Sequence, residues 1–422
     1  MSKIPDLPGT PVQRGSEQEA WLRNFIGKLC NLPHDRFPGS QPVSFGKKDL
    51  DRLEQNDYWV CEKSDGVRVL LTILTNDQTN AQLVHVVDRH NSYRSIDGIY
   101  FPHYDFPERP LRSTIIDAEL VIDTDPLTGK ETLRMLCFDC LVADGTNVMS
   151  KDLGSRYGRL QNHFYAPYAR MKRDFPDSVA HHPFDIKVKE VNASYHLDKV
   201  FNVDIPKLQH GNDGLIYTPV ATPYVVGTDK NILKWKPPSE NSIDFKLVLR
   251  FPPLKDQATT PDLHAKPIFA LHVWGGGEGS RAQYEPYDVM HVEDDEWEEM
   301  KASGEQLDDR IVEVHWDPVG ENWRMMRFRD DKPHGNHRNT VESIIQSIAD
   351  GVEKEVLLAR CDAIKNSWKQ RQTQRPPRPA TSQQQQQQQR PSISSTVLRY
   401  GPLASSVYSK VGGPTLVGAF HR

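Results

Sequence analysis

Lys63, in Glu62-Lys63-Ser64-Asp65-Gly66-Val67-Arg68, stands where a nucleophile could stand. A lysine amine attacks only when neutral, which needs desolvation or neighbouring cations to lower its pKa. Here it lies between the apolar-aromatic segment Tyr58-Trp59-Val60 and a Ser-Asp-Gly turn leading into Val69-Leu70-Leu71. A turn flanked by strands could hold the amine against the α-phosphorus of a nucleotide, with Arg68 near the phosphates. The same letters also make an ordinary surface turn with both cations in water, so companions elsewhere in the chain must decide.

Four clusters follow in order. Asp117-Ala118-Glu119 lies inside the apolar run Thr114–Ile122, where a period of two puts both acids on one strand face. Such a pair needs a metal, a ribose hydroxyl or a basic side chain, unless the strand is an exposed edge. Asp213-Gly214 enters the run Leu215-Ile216-Tyr217. It reads either as an ordinary turn or as an acid holding Mg²⁺ or Mn²⁺ against a triphosphate. Lys234-Trp235-Lys236 sets two cations about 7 Å apart on one strand face. That is unfavourable unless an anion such as a polyphosphate lies between them, and the same cations would help depress the pKa of Lys63. Arg329 and Lys332, at the end of Arg327–Lys332, could bring positive charge to a leaving pyrophosphate if their domain swings over the nucleotide.

The elements that must position these residues show in the hydrophobic pattern. Val67–Leu74, Leu83–Val87, Ile115–Ile122, Met135–Val142, Gly214–Thr218 and Ile232–Trp235 read as strands. Glu17–Cys30, Leu153–Arg170 and Ser194–His210 read as helices. This predicts an α+β domain with antiparallel sheets over 41–238, after an N-terminal extension 1–40. Lys236-Pro237-Pro238-Ser239 marks a boundary. The runs Ile243–Phe251, Pro267–Trp274, Ile311–Trp316 and Trp323–Phe328 then suit a small OB-fold β-barrel over 239–335. The acidic stretch Glu293–Glu299 reads as a solvated helix or loop. Thr340–Ile364 has one helical apolar stripe, which predicts a C-terminal helix over 336–370 packing back on the body. Residues 371–422, with Gln383–Gln389 and a Pro-rich approach, are expected to be a disordered basic tail.

Composition narrows the class. Mean hydropathy is -0.63 over 422 residues, and no apolar run approaches the roughly 20 residues of a membrane span. The N-terminus lacks the apolar core of a signal peptide, and five scattered cysteines make no disulfide framework. Cys137 and Cys140 have a metal-ligand spacing but sit in an apolar run, so a buried strand is the expected reading. A soluble protein in a reducing compartment is expected, with no membrane role. The net charge is -5, yet nine cations and no acid lie from Ala363 onward, which leaves -14 on residues 1–362. The body is therefore no general polyanion binder, and any nucleic-acid site in it must be local.

Taken in order, Lys63–Arg68, Asp117–Glu119, Met135–Asp144, Asp213–Tyr217, Lys234–Lys236 and Arg329–Lys332 resemble the motif set of covalent nucleotidyltransferases, the mRNA capping enzymes and polynucleotide ligases. Phe37–Ser44, Asp309–Glu313 and Trp323–Lys332 narrow the resemblance to GTP:mRNA guanylyltransferases, the fungal-type capping subunit in particular, over about residues 20–365. The resemblance implies a nucleotidyltransferase domain with ATP-grasp-like antiparallel sheets. It implies that Lys63 forms a lysyl-GMP intermediate from GTP and that GMP passes to the 5′-diphosphate end of nascent RNA. Ser64, Asp65 and Gly66 would line the nucleotide. Arg68 and Arg89 would contact ribose or phosphate, Glu119 the ribose hydroxyls or metal, and Phe138 would stack on guanine. Asp213 would serve Mg²⁺ or Mn²⁺, Lys234 and Lys236 the α-phosphate, and Arg329, Asp331 and Lys332 the first step. Lys189 or its rival Lys187 would contact guanine O6. Ser64 replaces the more usual threonine and keeps its hydroxyl. No His-Cys-x5-Arg phosphatase loop is present, so a separate RNA 5′-triphosphatase subunit is expected. The other implied partner is the phosphorylated C-terminal domain of RNA polymerase II, and the location the nucleus. The basic tail could add contact with RNA or that domain by charge.

Two other readings use parts of the pattern. An ATP-dependent polynucleotide ligase would share the covalent lysine, but Trp323–Lys332 and the lack of an added DNA-binding domain speak against it. A non-catalytic RNA-binding scaffold would lack catalytic side chains, and here every such position is filled.

Overall fold

The computed structural model describes residues 4–374 except 77 and 256. These residues form two compact units, one from 4–43, 51–234 and 360–374, the other from 44–50 and 235–359.

In the first unit the strands that matter are β1 (Tyr58–Ser64), β2 (Val67–Thr75), β3 (Gln82–Asp88), β4 (Tyr93–Ile96), β5 (Thr114–Thr124), β6 (Glu131–Ala143), β7 (Asp185–Val188), β8 (Asn212–Pro219) and β9 (Gly227–Trp235). One sheet runs β4-β3-β2-β5-β6-β7. Its neighbours are antiparallel except β7, which is parallel to β6. In the other sheet β1 pairs with β8, and β9 follows. The antiparallel expectation thus holds for these pairs, β6–β7 excepted. Strand β7 returns after the helical segment that starts at Leu153, and a parallel neighbour requires such a crossover.

The long apolar run of β2 is explained by burial on both faces. Val69, Leu71 and Ile73 join a core with Leu160, Phe164, Tyr168 and Met171. Leu70 and Leu74 face the opposite way, into a core with Leu22 and Ile26 of α1 (Glu17–Leu29) and its C-cap residue Cys30. Ser16 caps α1 by accepting from the Glu19 amide at 3.2 Å. The N-terminal segment is therefore integral to the unit, and Thr10–Pro11 also pairs with β4. Cys137 and Cys140 are buried on β6, as the apolar run implied, and burial pushes both thiols up.

Two expected helices are interrupted. Leu153–Arg170 becomes α2 (Leu153–Arg159), a π-helical turn at Leu160–Tyr165 and α3 (Ala166–Asp174). Within Ser194–His210 only short α, π and 3₁₀ turns form over Leu197–Lys207.

The second unit closes a five-stranded barrel: β10 (Ser242–Arg250), β11 (Ile268–Gly276), β12 (Gln283–Met290), β13 (Ile311–Asp317) and β14 (Asn322–Phe328), in spatial order β10-β11-β12-β14-β13. Strand β12 was not legible in the pattern because it is mostly exposed, with only Met290 buried. The acidic stretch forms α4 (Asp294–Ser303) with a capping box between Glu293 and Glu296. It is not wholly solvated: Trp297 is buried edge-on against Phe269 at 5.7 Å.

The single C-terminal helix is likewise a correction. α5 (Arg338–Asp350) ends at Gly351, whose φ of 58° is a left-handed cap that stops the helix. α6 (Lys354–Ala359) and α7 (Cys361–Gln374) follow. Val341 of α5 packs in the barrel core. α7 belongs to the first unit, where Trp368 meets Tyr195 edge-on at 5.4 Å. Arg371, placed by sequence in the tail, donates to Asp57 at 2.8 Å. The rest of the expected tail, 375–422, lies outside the described residues.

Candidate active site

Lys63 is the penultimate residue of β1, on the face opposite its buried neighbours Glu62 and Ser64. Two backbone devices bring its partner. The β1–β8 register slips between Asn212 and Leu215, so Asp213 and Gly214 bulge out of the ladder beside Lys63. The Asn212 side chain ties that bulge down by donating to the carbonyls of Lys63 and Gly214 at 3.1 and 2.9 Å. As a result Lys63 Nζ donates to Asp213 Oδ1 at 2.6 Å. The group touching the amine is thus a carboxylate. Gly66 lets the turn close: a Cβ there would lie 2.2 Å from the carbonyl oxygen of Leu120.

Strand β2 pairs with β5 so that Arg68 lies directly opposite Glu119 and diagonal to Asp117. Arg68 donates to both Asp117 oxygens, at 3.0 and 2.6 Å, and also to the carbonyl of Ser40. Tyr224 donates to the same Asp117 carboxylate. The two acids do share a face, but their environments differ. Asp117 is fully buried and spent on Arg68, whereas Glu119 is only half-buried. Burial nevertheless outweighs Lys189, Arg68 and Lys63 at Glu119 and pushes its carboxyl up to about 7. Phe138 sits where the β5–β6 register shifts, an unpaired bulge residue, and the Arg68 guanidinium lies 5.4 Å from its ring centre. Next to it, Asp139 accepts two bonds from the buried Arg156 at 2.8 and 2.9 Å.

Beneath β1 runs a buried network that joins the expected Ser64 and Lys189 to three residues sequence reasoning missed, Glu62, Asp123 and His210. Lys189 follows β7, its amide bonded to the Cys137 carbonyl at 2.8 Å. Its ammonium donates to Ser64 Oγ at 2.7 Å and lies 3.0 Å from Glu62, while Ser64 donates to Glu62 at 3.0 Å. Lys187, on the same strand, is exposed, so Lys189 is the lysine that reaches the site. Burial raises the Glu62 carboxyl, but Lys189 and His210 more than reverse this and bring it down to about 2. His210 shares a 2.7 Å bond with Asp123 through Nδ1, and its Nε2 is an ion-pair contact 3.7 Å from Glu62. Burial opposes its charge, yet these acids hold its pKa above the ordinary value. Of the three missed residues, only Glu62 carried a signal in the sequence, as the letter before Lys63. His210 and Asp123 are joined by tertiary structure alone.

The sign of that shift gives a test. A histidine pKa raised by folding contributes stability that is fully present below about 6.5 and lost as pH rises through the folded value. His210→Gln should therefore lower the melting temperature more at pH 6 than at pH 9. An equal drop at both would show that His210 acts by packing alone.

Asp65 donates its amide to the Gly211 carbonyl at 2.9 Å. Lys234 is half-buried on β9, and Lys236, also half-buried, belongs to the second unit. Arg89 is exposed on the turn after β3, with its Nε 3.4 Å from His90. Within the second unit Arg329 donates to Asp331 at 2.8 Å and to Asp244 at 3.2 Å, and Lys332 also donates to Asp244. The Arg329 hydrogen bond holds the Asp331 carboxyl down at about 2.

Chemically the cluster offers an amine, half-buried carboxylates and buried cations in one place. Asp213 and Glu119 are hard oxygen donors of the number Mg²⁺ or Mn²⁺ uses when substrate phosphates complete its shell, so the residues fit such an ion.

Comparison with known proteins identifies the family. The family described as "mRNA capping enzyme, catalytic domain" matches residues 6–238, and "mRNA capping enzyme, C-terminal domain" matches 240–358. The mRNA-capping enzyme subunit alpha of Candida glabrata is 38% identical over an alignment of 405 residues, covering 87% of this chain and 90% of that protein. That of Neurospora crassa is 40% identical over 389 residues, covering 88% and 96%. That of Schizosaccharomyces pombe is 41% identical over 354 residues, covering 83% and 86%. Among solved structures, an ATP-dependent DNA ligase from bacteriophage T7 in complex with ATP aligns with 69% of this chain and 98% of its own, at 15% identity and a TM-score of 0.32, a likeness too slight to extend the reading. Both halves of the sequence match, and relatives of similar length align nearly end to end. The chain belongs to the mRNA capping enzyme family.

Proposed function

We propose that this chain is the mRNA guanylyltransferase of a capping apparatus. Lys63 Nζ attacks the α-phosphorus of GTP. A P–N bond forms, the bond to the β-phosphate oxygen breaks, and pyrophosphate leaves, giving lysyl-GMP. The β-phosphate oxygen of a 5′-diphosphate RNA then takes the GMP and frees the lysine. The observation that carries this reading is Lys63 at the end of β1, 2.6 Å from Asp213 and in the field of Glu119, with Lys189 and Ser64 beneath.

Before attack the ammonium must leave Asp213 and lose a proton. The carboxylate that holds it is also its nearest acceptor. Asp213 and Glu119 are the residues that would hold Mg²⁺ or Mn²⁺, an ion that supplies charge neutralisation to phosphoryl oxygens. Lys189, fixed by Glu62 and presented with Ser64, is the donor we assign to guanine O6, and Phe138 the face for the base. Arg68 is committed to Asp117, so its contribution is to shape the pocket as well as to contact the nucleotide. The roles expected of Asp65, Gly66, Arg89, Lys234 and Lys236 at the nucleotide, and of Arg329, Asp331 and Lys332 in the first step, are part of the same proposal. So are a separate RNA 5′-triphosphatase, the phosphorylated polymerase C-terminal domain as a partner, and a nuclear location.

Incubation with α-labelled GTP or ATP and a divalent cation tests the assignment. Acid-labile label on the protein from GTP is the expected result. Label from ATP only would replace it with a ligase, and none from either would leave a binding scaffold.

A further inference from the structure

The first unit carries a basic groove of which the chemistry above uses only Arg89. A hollow of about 760 Å³ runs beside α1, with Arg14, Arg23 and Lys28 on its wall. A second, of about 350 Å³, is lined by Arg36, Arg89 and again Arg23. Arg23 and Asp35 border both, so the two hollows adjoin. Their five cations face two carboxylates, Glu19 and Asp35, and Glu19 is already bonded to Arg23 at 2.8 Å. This excess stands on a stretch of chain, residues 1–362, that carries -14 overall. Arg23 Nε, at the junction, is buried and has no hydrogen-bond acceptor among the described residues.

Two further features suit a single-stranded polynucleotide. Trp21 is 48% exposed and stacks on Phe25 at 5.2 Å and 19°. It lies about two helical turns before Lys28, on the same stripe of α1. Cations along a groove with an exposed aromatic face beside them are the usual means of holding unpaired bases and their phosphates. The second hollow also reaches the nucleotide site by chain: Gly39 and Gln41 line it, and Ser40 between them accepts from Arg68.

We propose that this groove binds the first nucleotides of the acceptor RNA behind its 5′-diphosphate, with phosphates on Arg14, Lys28 and Arg36 and a base on Trp21. The inference rests on the guanylyltransferase reading, and its test separates the two. The full chain is first charged with GMP, then offered a 5′-diphosphate RNA of about 20 nucleotides or a 5′-diphosphate trinucleotide, chain lengths chosen to fill or fall short of a site of several nucleotides.

The double variant Lys28→Glu, Arg36→Glu should form lysyl-GMP at the wild-type rate. Its KM for the longer RNA should rise by about tenfold or more, and the log–log slope of its salt dependence should shrink by about 0.7 for each phosphate no longer neutralised. Transfer to the trinucleotide should change less than twofold. Trp21→Ala should repeat the pattern more weakly without altering charge, and Arg36→Lys with Lys28 intact should retain transfer. Unchanged transfer to the longer RNA, or equal loss on both acceptors, would overturn the groove assignment while leaving the first step intact. Loss of binding to a phosphopeptide with RNA transfer unaffected would also overturn it, assigning the groove to a protein partner. Failure of the wild-type chain to form lysyl-GMP would instead overturn the reading on which it rests.

Discussion

Lys63→Ala should eliminate the covalent guanylate, lowering adduct formation by on the order of 10⁴-fold or more, as removal of a nucleophile does elsewhere. Label retained on the denatured protein after incubation with α-labelled GTP is the measurement. Stability should hardly change. Lys63 and Asp213 are each about a quarter exposed, at 25% and 24%, and a pair so accessible to water contributes about 1 kcal/mol at most. A large loss of adduct with a small shift in melting temperature is thus the signature of a nucleophile. The reverse pattern, with adduct persisting and the fold weakened, would reduce Lys63 to a structural partner of Asp213.

The largest expected effect on stability lies in the other sheet, on β6. Asp139→Ala should cost about 3–5 kcal/mol, because it leaves the Arg156 guanidinium without its carboxylate in the interior. Arg156 is 1% exposed and Asp139 5%. The effect is asymmetric. Burial already pushes the Asp139 carboxyl up, so Arg156→Ala leaves a group that can neutralise itself by taking a proton. Arginine has no comparable escape, since it keeps its proton under all ordinary conditions. The carbonyls of Lys151 and Thr222, which also accept from Arg156 at 2.6 and 2.9 Å, cannot replace a charge. A thermal melt should show a fall of about 10 °C in the first unit. A fall under about 2 °C would mean that Arg156 swings out to solvent instead. Because Phe138 adjoins Asp139 at the bulge, the variant should also weaken GTP use, which the adduct assay reads separately.

Much of the architecture was legible because it depends on local periodicity. The buried strands β2, β5 and β6 announced themselves by long apolar runs, and α1 by a helical reading over Glu17–Cys30. Elements without a contrasting pattern escaped. Strand β12 alternates little because most of its residues are exposed, and the break at Gly351 lies inside a continuous apolar stripe that a left-handed cap interrupts. The π-turn at Leu160–Tyr165 leaves the apolar residues on nearly the same face, so periodicity alone reads through it.

The active site divides in the same way. The order of the charged motifs along the chain was enough to pick out the family and to nominate a nucleophile and its carboxylates, because residue type and spacing limit which chemistry a chain can perform. Which of these groups touch is a matter of folding. The fold put a carboxylate on Lys63, committed Arg68 to Asp117, selected Lys189 over Lys187 and linked Glu62 to His210 and Asp123. These pairings join residues up to 150 positions apart. They depend on bulges and strand register, which shift a side chain by a whole face, and on burial, which decides whether a charge must find a partner. Neither quantity is local in sequence, so only the folded chain settles them.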